Sequence, residues 1–373
     1  MIVGLPKEIK TQEYRVAMTP ALVHELVQQG HQVRVQSQAG AGSGYEDSDY
    51  RQAGAEIVDN AEKVFAGSEL IVKVKEPQKE ERARLRPDQT LFTYLHLAPD
   101  VPQTRELLES GATCIAYETV TDRHGRLPLL APMSEVAGRM SIQAGVHCLE
   151  KSQGGRGVLI GGVPGVEQGI VTVLGGGVVG SSAIKMAVGL GAHVVVLDKN
   201  LDTLRSLDQQ YGNRIQTVFS TRHALEQWVT AADLVIGAVL IPGAAAPKLV
   251  SRDLLKKMKA GSAIVDVAID QGGCFETSKP TTHDAPTFIV EDVVHYCVAN
   301  MPGALARTAT QALTNATMPF VLELANKGTK RALSENPHLL QGLNITHHTL
   351  TCPEVGDAQG VDSITAEQGL SLM

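Results

Sequence analysis

Four side chains stand where an apolar run gives way to a polar segment: Arg15, Lys75, His96 and Asp270. Arg15 lies in the loop after IVGL, and Lys75 closes ELIVKVK. His96 closes QTLFTYLH, and Asp270 follows SAIVDVA. Their chemistry is complementary. A guanidinium fork can grip a carboxylate with two hydrogen bonds. A lysine can add positive charge at a carboxylate or a carbonyl oxygen. Imidazole moves protons at physiological pH because it titrates near neutrality. An aspartate can accept a proton or orient a water. An amino or hydroxy acid that gives up a hydride needs such a set, with the hydride acceptor held alongside. Ordinary readings stand beside these. Arg15 and Lys75 could be solvated cations, and His96 a satisfied core or surface histidine. Asp270 could merely open the turn at Gly272 and Gly273.

Gly175, Gly177 and Gly180 in GGGVVG follow the G-x-G-x-x-G pattern. The pattern alone is weak in a glycine-rich chain; its setting is specific. It follows the strand-like run GIVTVL and opens the helical run SSAIKMAVGLG. The next strand, HVVVL, ends in Asp198, eighteen residues after Gly180. Gly175 permits the tight turn, Gly177 lets a pyrophosphate approach the backbone, and Gly180 lets helix pack on strand. Asp198 would hydrogen-bond the adenosine ribose and repel a 2′-phosphate, which favours NAD over NADP. A structural glycine turn without a cofactor is the plain alternative.

These residues need a scaffold that aims strand ends at one place. From residue 1 to about 127, short apolar runs alternate with amphipathic ones. They include a helix over 20–30 that begins at Pro20, a strand HQVRVQS, a helix around 101–109 and a strand TCIAYETV. This rhythm implies a mainly parallel sheet covered by helices. Residues 127–150 read as a long connecting helix with Ser134 and Glu135 near its cap. A second series follows with strands GIVTVL, HVVVL, DLVIGAV and SAIVDVA. Beyond about Leu305 the chain reads as helical, returning to the first domain. The expectation is α/β, with two Rossmann-like doubly wound domains and an interdomain active-site cleft. Residues 1–128 and 305–373 form the substrate domain, and 129–304 the NAD-binding domain. Ligands of open α/β sheets sit beyond the carboxyl ends of the strands, so all four polar residues fall where a ligand is expected.

Bulk properties narrow the class. The 373 residues are 43% hydrophobic and 20% charged, which is globular, and the length suits two domains. The net charge is −7 without a Lys/Arg block, so neither nucleic acid nor an acidic membrane is an expected partner. No apolar run of about 18 residues suggests a membrane span, and MIVGLPKEIK lacks the apolar core of a signal peptide. Cys114, Cys148, Cys274, Cys297 and Cys352 are scattered and form no C-x-x-C. That fits a reducing compartment, so a cytoplasmic location is expected, with no cysteine zinc site. No metal is assigned, His347 and His348 included. No G-x-S-x-G occurs, and no cysteine stands in an activating setting.

Seven segments carry a resemblance: GLPKEIKTQEYRVAMTP, LIVKVKEPQ, LFTYLHLAPD, APMSEVAGRMSIQAG, VTVLGGGVVG, VDVAIDQGGCFETSKPTTHDAPTF and HYCVANMPGALARTAT. Together they closely resemble bacterial L-alanine dehydrogenases, in the alanine dehydrogenase and NAD transhydrogenase α-subunit family, as far as about Leu343. The resemblance implies reversible conversion of L-alanine, NAD⁺ and water to pyruvate, ammonium and NADH. It implies that Arg15 and Lys75 bind substrate and that His96 and Asp270 are the acid/base pair. It assigns NAD contacts to Ser134, Val178, Val179, Asp198, Ser220, Val239 and Leu240. It extends them to Val267, Ala268, Ile269 and Asp270, and to Val298, Ala299, Asn300 and Met301. It also implies a homohexamer. The chain departs from the family pattern at Thr203, Lys279 and Ala306, and in the tail from about Thr346. Rival readings are the NAD(H)-binding component of a transhydrogenase, a saccharopine-type dehydrogenase and a catalytically silent NAD sensor. Lys75, His96 and Asp270 would be superfluous to nucleotide binding alone.

Overall fold

A computed structural model of the chain describes residues 1–239 and 246–373. The described residues form two compact units, Met1–Met133 with Leu305–Met373, and Ser134–Ala304. The first unit is therefore discontinuous in sequence, and the second is inserted into it.

The first unit is built on β1 (Ile2–Leu5), β2 (Gln32–Gln36), β3 (Glu56–Val58), β4 (Leu70–Val72), β5 (Thr90–Thr93) and β6 (Thr113–Ala116). All six run parallel. The inner strands LIV, TLFT and TCIA are buried along their whole length, as expected where helices cover both faces. Those helices follow local signals. Pro20–Gln28 has proline in its first turn and turns Leu22, Val23 and Leu26 inward. Val101–Ser110 is capped by the Asp100 side chain and stopped by Gly111 in the left-handed region at φ 70°. Phe65, Ile71, Leu91, Leu95 and Leu107 form the core of this unit, and burying each such side chain contributes roughly 1.5–3 kcal/mol.

The second unit carries β7 (Ile170–Leu174), β8 (His193–Asp198), β9 (Ile215–Phe219), β10 (Leu234–Gly237), β11 (Ala263–Asp266), β12 (Thr287–Val290) and β13 (Val293–Tyr296). The order is β12-β13-β11-β10-β7-β8-β9, parallel except for the β12–β13 hairpin. Strand order reverses direction between β7 and β10. Such a switch point opens a crevice for ligands at the carboxyl ends.

Two expectations are corrected. Beyond Leu305 the chain is not helical throughout. After Ala306–Lys327 and two short helices come β14 (Leu343–Thr346) and β15 (Thr349–Leu350). They extend the first sheet to the order β15-β14-β6-β5-β4-β1-β2-β3, with β14 antiparallel to β6. Without β14, β6 would be an open edge. The long connecting helix is Ala131–Cys148, so it starts before Ser134 and Ser134 lies within it. The Ala131 amide already donates to the Leu127 carbonyl at 3.0 Å, and Pro132 sits in the first turn, where it needs no donor.

Candidate active site

In the first unit the strand order reverses between β1 and β4, and the candidate residues leave from those strands and from β5 beside them. After β1 the chain runs through Glu8, Glu13 and Arg15. Arg15 is buried, and its Nε and Nη2 donate to the two oxygens of Glu13 at 2.6 and 2.5 Å, while Nη1 meets Met133 Sδ at 3.1 Å. The fork is thus oriented and charge-balanced by its own chain. The loop is braced by the helix Ala306–Lys327: Thr310 Oγ1 accepts from the Val16 amide, and Thr314 Oγ1 donates to the Ala17 carbonyl.

After β4 comes a buried ion triad. Lys73 bridges Glu8 at 3.0 Å and Glu81 at 2.7 Å, and these carboxylates outweigh the burial that opposes its charge, so Lys73 holds its proton more tightly than usual. Glu8 also accepts the Val74 amide at 2.7 Å, which fixes how the chain turns before Lys75. Lys75 lies largely buried, 3.8 Å from Glu76. Burial pushes its ammonium below the ordinary lysine range; Glu76 opposes this, and Lys10 and Arg15 add to it.

After β5, His96 occupies the left-handed region at φ 49°. For a residue with a Cβ this costs roughly 1–2 kcal/mol. Glu118, after β6, offsets the strain. Its Oε1 accepts the amides of His96 at 2.5 Å and Leu95 at 3.1 Å, and hydrogen bonds to a charged group contribute about 1.5–3 kcal/mol each. The same oxygen lies 3.8 Å from His96 Nδ1. The imidazole stacks on Tyr94 with planes 7° apart, and Tyr94 Oη donates to the Leu129 carbonyl at 2.6 Å. The loop's carbonyls are held too. Gln103 donates to Leu95 O, and Gln359, from the helix Pro353–Gln359, donates to Leu97 O, both at 2.6 Å.

In the second unit the glycine loop joins β7 to the helix Val178–Gly189. Gly175 has φ 94°, which a side chain would resist. A Cβ on Gly180 would lie 1.8 Å from the Gly175 carbonyl oxygen, whereas one on Gly177 would meet nothing within 4 Å. The turn is therefore tight at its base and open at its tip. No side chain caps the helix, so its first amides are suited to an anion. Val178 is exposed and Val179 partly so. The Asp198 carboxylate accepts from the amides of Gly176 at 2.6 Å and Asn200 at 2.7 Å. A carboxylate has about four acceptor positions, which leaves capacity for ribose hydroxyls. An open glycine turn, an uncapped helix and an acid beside them fit a dinucleotide.

The other expected contacts also lie at strand ends. Ser220 follows β9 and donates its amide to the Asp198 carbonyl, Val239 follows β10, and Val298, Ala299, Asn300 and Met301 follow β13. Ser134 shares its helix with Gly138, where a Cβ would lie 2.2 Å from the Val179 carbonyl, so this helix packs against the start of Val178–Gly189. Leu240 lies outside the described residues. Val267, Ala268, Ile269 and Asp270 follow β11, and Asp270 is exposed in the turn Ile269–Gln271. Buried Asp266 closes this loop, accepting from the Cys274 amide at 2.8 Å and Ser278 Oγ at 2.5 Å. Among the described residues no group of three or more His, Cys, Asp or Glu could hold a metal ion, and no helix is long and apolar enough to cross a membrane.

Sequence reasoning missed Glu8, Glu13, Lys73, Gln103, Glu118 and Gln359. Glu118 was within reach of the same rule, since TCIAYETV ends as a strand at Ala116 and Glu118 is at a strand's carboxyl end. Lys73 was hidden because ELIVKVK reads as one strand ending at Lys75, whereas β4 ends at Val72.

The chain matches the family model for the alanine dehydrogenase/PNT N-terminal domain over residues 4–137, and that for the C-terminal domain over residues 141–353. It is 60% identical over 366 residues to the alanine dehydrogenase of Halomonas elongata, covering 98% of this chain and 99% of that one. A solved L-alanine dehydrogenase structure matches with TM-score 0.94 at 52% identity, over 96% of this chain and 99% of that one. The transhydrogenase from Sinorhizobium meliloti matches with TM-score 0.83 at 23% identity, over 94% of this chain and 100% of that one, a likeness of fold alone.

Proposed function

We propose a division of labour among these residues from one premise: the chain belongs to the alanine dehydrogenase/PNT family. Its reaction is the reversible oxidative deamination of L-alanine, in which L-alanine, NAD⁺ and water give pyruvate, ammonium, NADH and a proton. Arg15, steadied by Glu13, binds the substrate carboxylate. Lys75 supplies a second positive charge, to the carboxylate and then to the oxygen that develops at the α-carbon. His96 and Asp270 carry the protons: a base takes one from the water that adds to the imino acid, and an acid returns one to the departing nitrogen. NAD⁺, when bound, supplies the acceptor for the hydride of the α-carbon. The glycine loop, Asp198 and the strand-end residues after β9, β10, β11 and β13 would hold it, with Ser134.

What supports this reading is that Arg15, Lys75 and His96 leave the carboxyl ends of strands β1, β4 and β5, which are neighbours in one sheet. A purely nucleotide-binding relative has no use for that set. In this reading residues 1–128 and 305–373 serve as the substrate domain and 129–304 as the NAD-binding domain. The chain works as a cytoplasmic homohexamer in the breakdown of alanine to pyruvate. Five buried cysteines without a disulfide support a reducing compartment. The test follows NADH absorbance with NAD⁺ and L-alanine at alkaline pH, in the parent, His96→Ala and Asp270→Asn. The variants are expected to lose about 10²–10⁴-fold in kcat. A parent that binds NADH but turns over neither L-alanine nor, in reverse, pyruvate with ammonium would replace this reading with the binding-component alternative.

A further inference from the structure

The loop that carries His96 places it in a backbone conformation that residues with a side chain adopt infrequently, and one carboxylate sits at its centre. Glu118 Oε1 accepts from the His96 amide and the Leu95 amide and lies 3.8 Å from His96 Nδ1, while Oε2 also accepts from the Leu95 amide at 3.2 Å. His96 is 44% exposed in its side chain, so packing alone does not hold the ring; stacking on Tyr94 fixes its plane, and nothing in that stack fixes its rotation about the backbone. The backbone at φ 49° decides where the ring emerges from the sheet. Were the Glu118 oxygen removed, the half-buried Leu95 amide and the more exposed His96 amide would lose their acceptor, and the left-handed conformation would relax toward the extended region.

We propose that Glu118 is a positioning residue for the proton transfer: through the His96 and Leu95 amides it holds His96 in its left-handed conformation and so sets where the ring emerges. This rests on the reading of His96 as an acid/base group. Glu118 acts only through His96, and it neither binds substrate nor touches NAD.

The experiment uses the full chain in five forms: Glu118→Ala, Glu118→Gln, Glu118→Asp, His96→Ala and the double variant His96→Ala/Glu118→Ala. Steady-state kinetics with L-alanine and NAD⁺ are read beside NADH binding and Tm. Glu118→Ala is expected to lower kcat up to about 100-fold, as a misplaced reacting group does, with the KM for L-alanine and the Kd for NADH near the parent's. Glu118→Gln keeps an acceptor oxygen at the same reach and is expected to recover most of the loss. Glu118→Asp keeps the charge but falls one methylene short, and is expected to lose kcat as alanine does; it decides the matter if Glu118→Ala does not fold. In the His96→Ala background Glu118→Ala is expected to cost nothing further, because the two losses are one. A merely structural role predicts the reverse, the same loss in both backgrounds, and that result would overturn the proposal. So would parent-like kcat in Glu118→Asp. His96→Ala at parent activity would instead remove the acid/base reading itself.

Discussion

Lys75 sits where burial works against its own charge, with Arg15 and Lys10 adding to the effect and Glu76 opposing it, and its ammonium titrates below the ordinary lysine range. The sign has two consequences. In the folded chain the cation is lost at a lower pH than in the unfolded chain, so stability rises as pH climbs from the folded value toward the unfolded one. If Lys75 polarises the substrate oxygen as proposed, that cation disappears over the same range, and turnover should fall with it. Lys75→Arg keeps its charge throughout and is expected to move the alkaline limb of the reductive-amination pH profile upward, with kcat reduced because a planar guanidinium fits differently. An unmoved limb would assign it to another group. The candidate residues themselves were legible because strand ends are legible. Their supports were not. Glu13 is two positions from Arg15, and nothing in the sequence says that its carboxylate folds back onto the guanidinium. The departures at Thr203 and Lys279 have local explanations: Thr203 Cγ2 fills space beside Gly176, and Lys279 lies over the Phe288 ring.

At the level of elements, the glycine turn separates two roles that one motif joins. Gly180 is required by packing, because a side chain there would drive into the backbone of Gly175; Gly177 is not, because it faces open space. Gly177→Ala is therefore expected to keep the parent's Tm while weakening NADH about tenfold or more, or 1.4 kcal/mol, as a methyl group would then stand where the proposed site takes the pyrophosphate. Gly180→Ala is expected to lower Tm as well. Thermal unfolding with an NADH titration on both variants separates the two, and equal Tm losses would contradict the distinction. The same level shows what pattern reading cannot find. The hairpins β12–β13 and β14–β15 turn on Glu291-Asp292 and His347-His348, all four at positive φ. Such turns are normally marked by Asn-Gly or Asp-Gly. Without glycine the pairs look like charged loop, and both hairpins went unread.

For the whole molecule, two sheets were legible because inner parallel strands are short, mostly apolar runs. The edge strands after Leu343 were not, since they are short and follow a long helix. The cysteines behave as core residues: burial pushes the thiols of Cys114, Cys274 and Cys297 up to about 12, and those of Cys148 and Cys352 up to about 11. An aromatic disulfide reagent at neutral pH is expected to find no fast thiol in the native protein and five after denaturation; one fast native thiol would expose a site that opens. The link from Gln359 to the Leu97 carbonyl has a further meaning for how the molecule is made. Synthesis runs from the amino end, and domains fold as units while the chain emerges. The inserted unit is complete once Ala304 is out, but the His96 loop waits for Gln359, and β6 waits for β14. A nascent chain can therefore complete the unit that carries the glycine turn before the His96 loop has its last support, so synthesis itself orders the assembly of the two proposed sites.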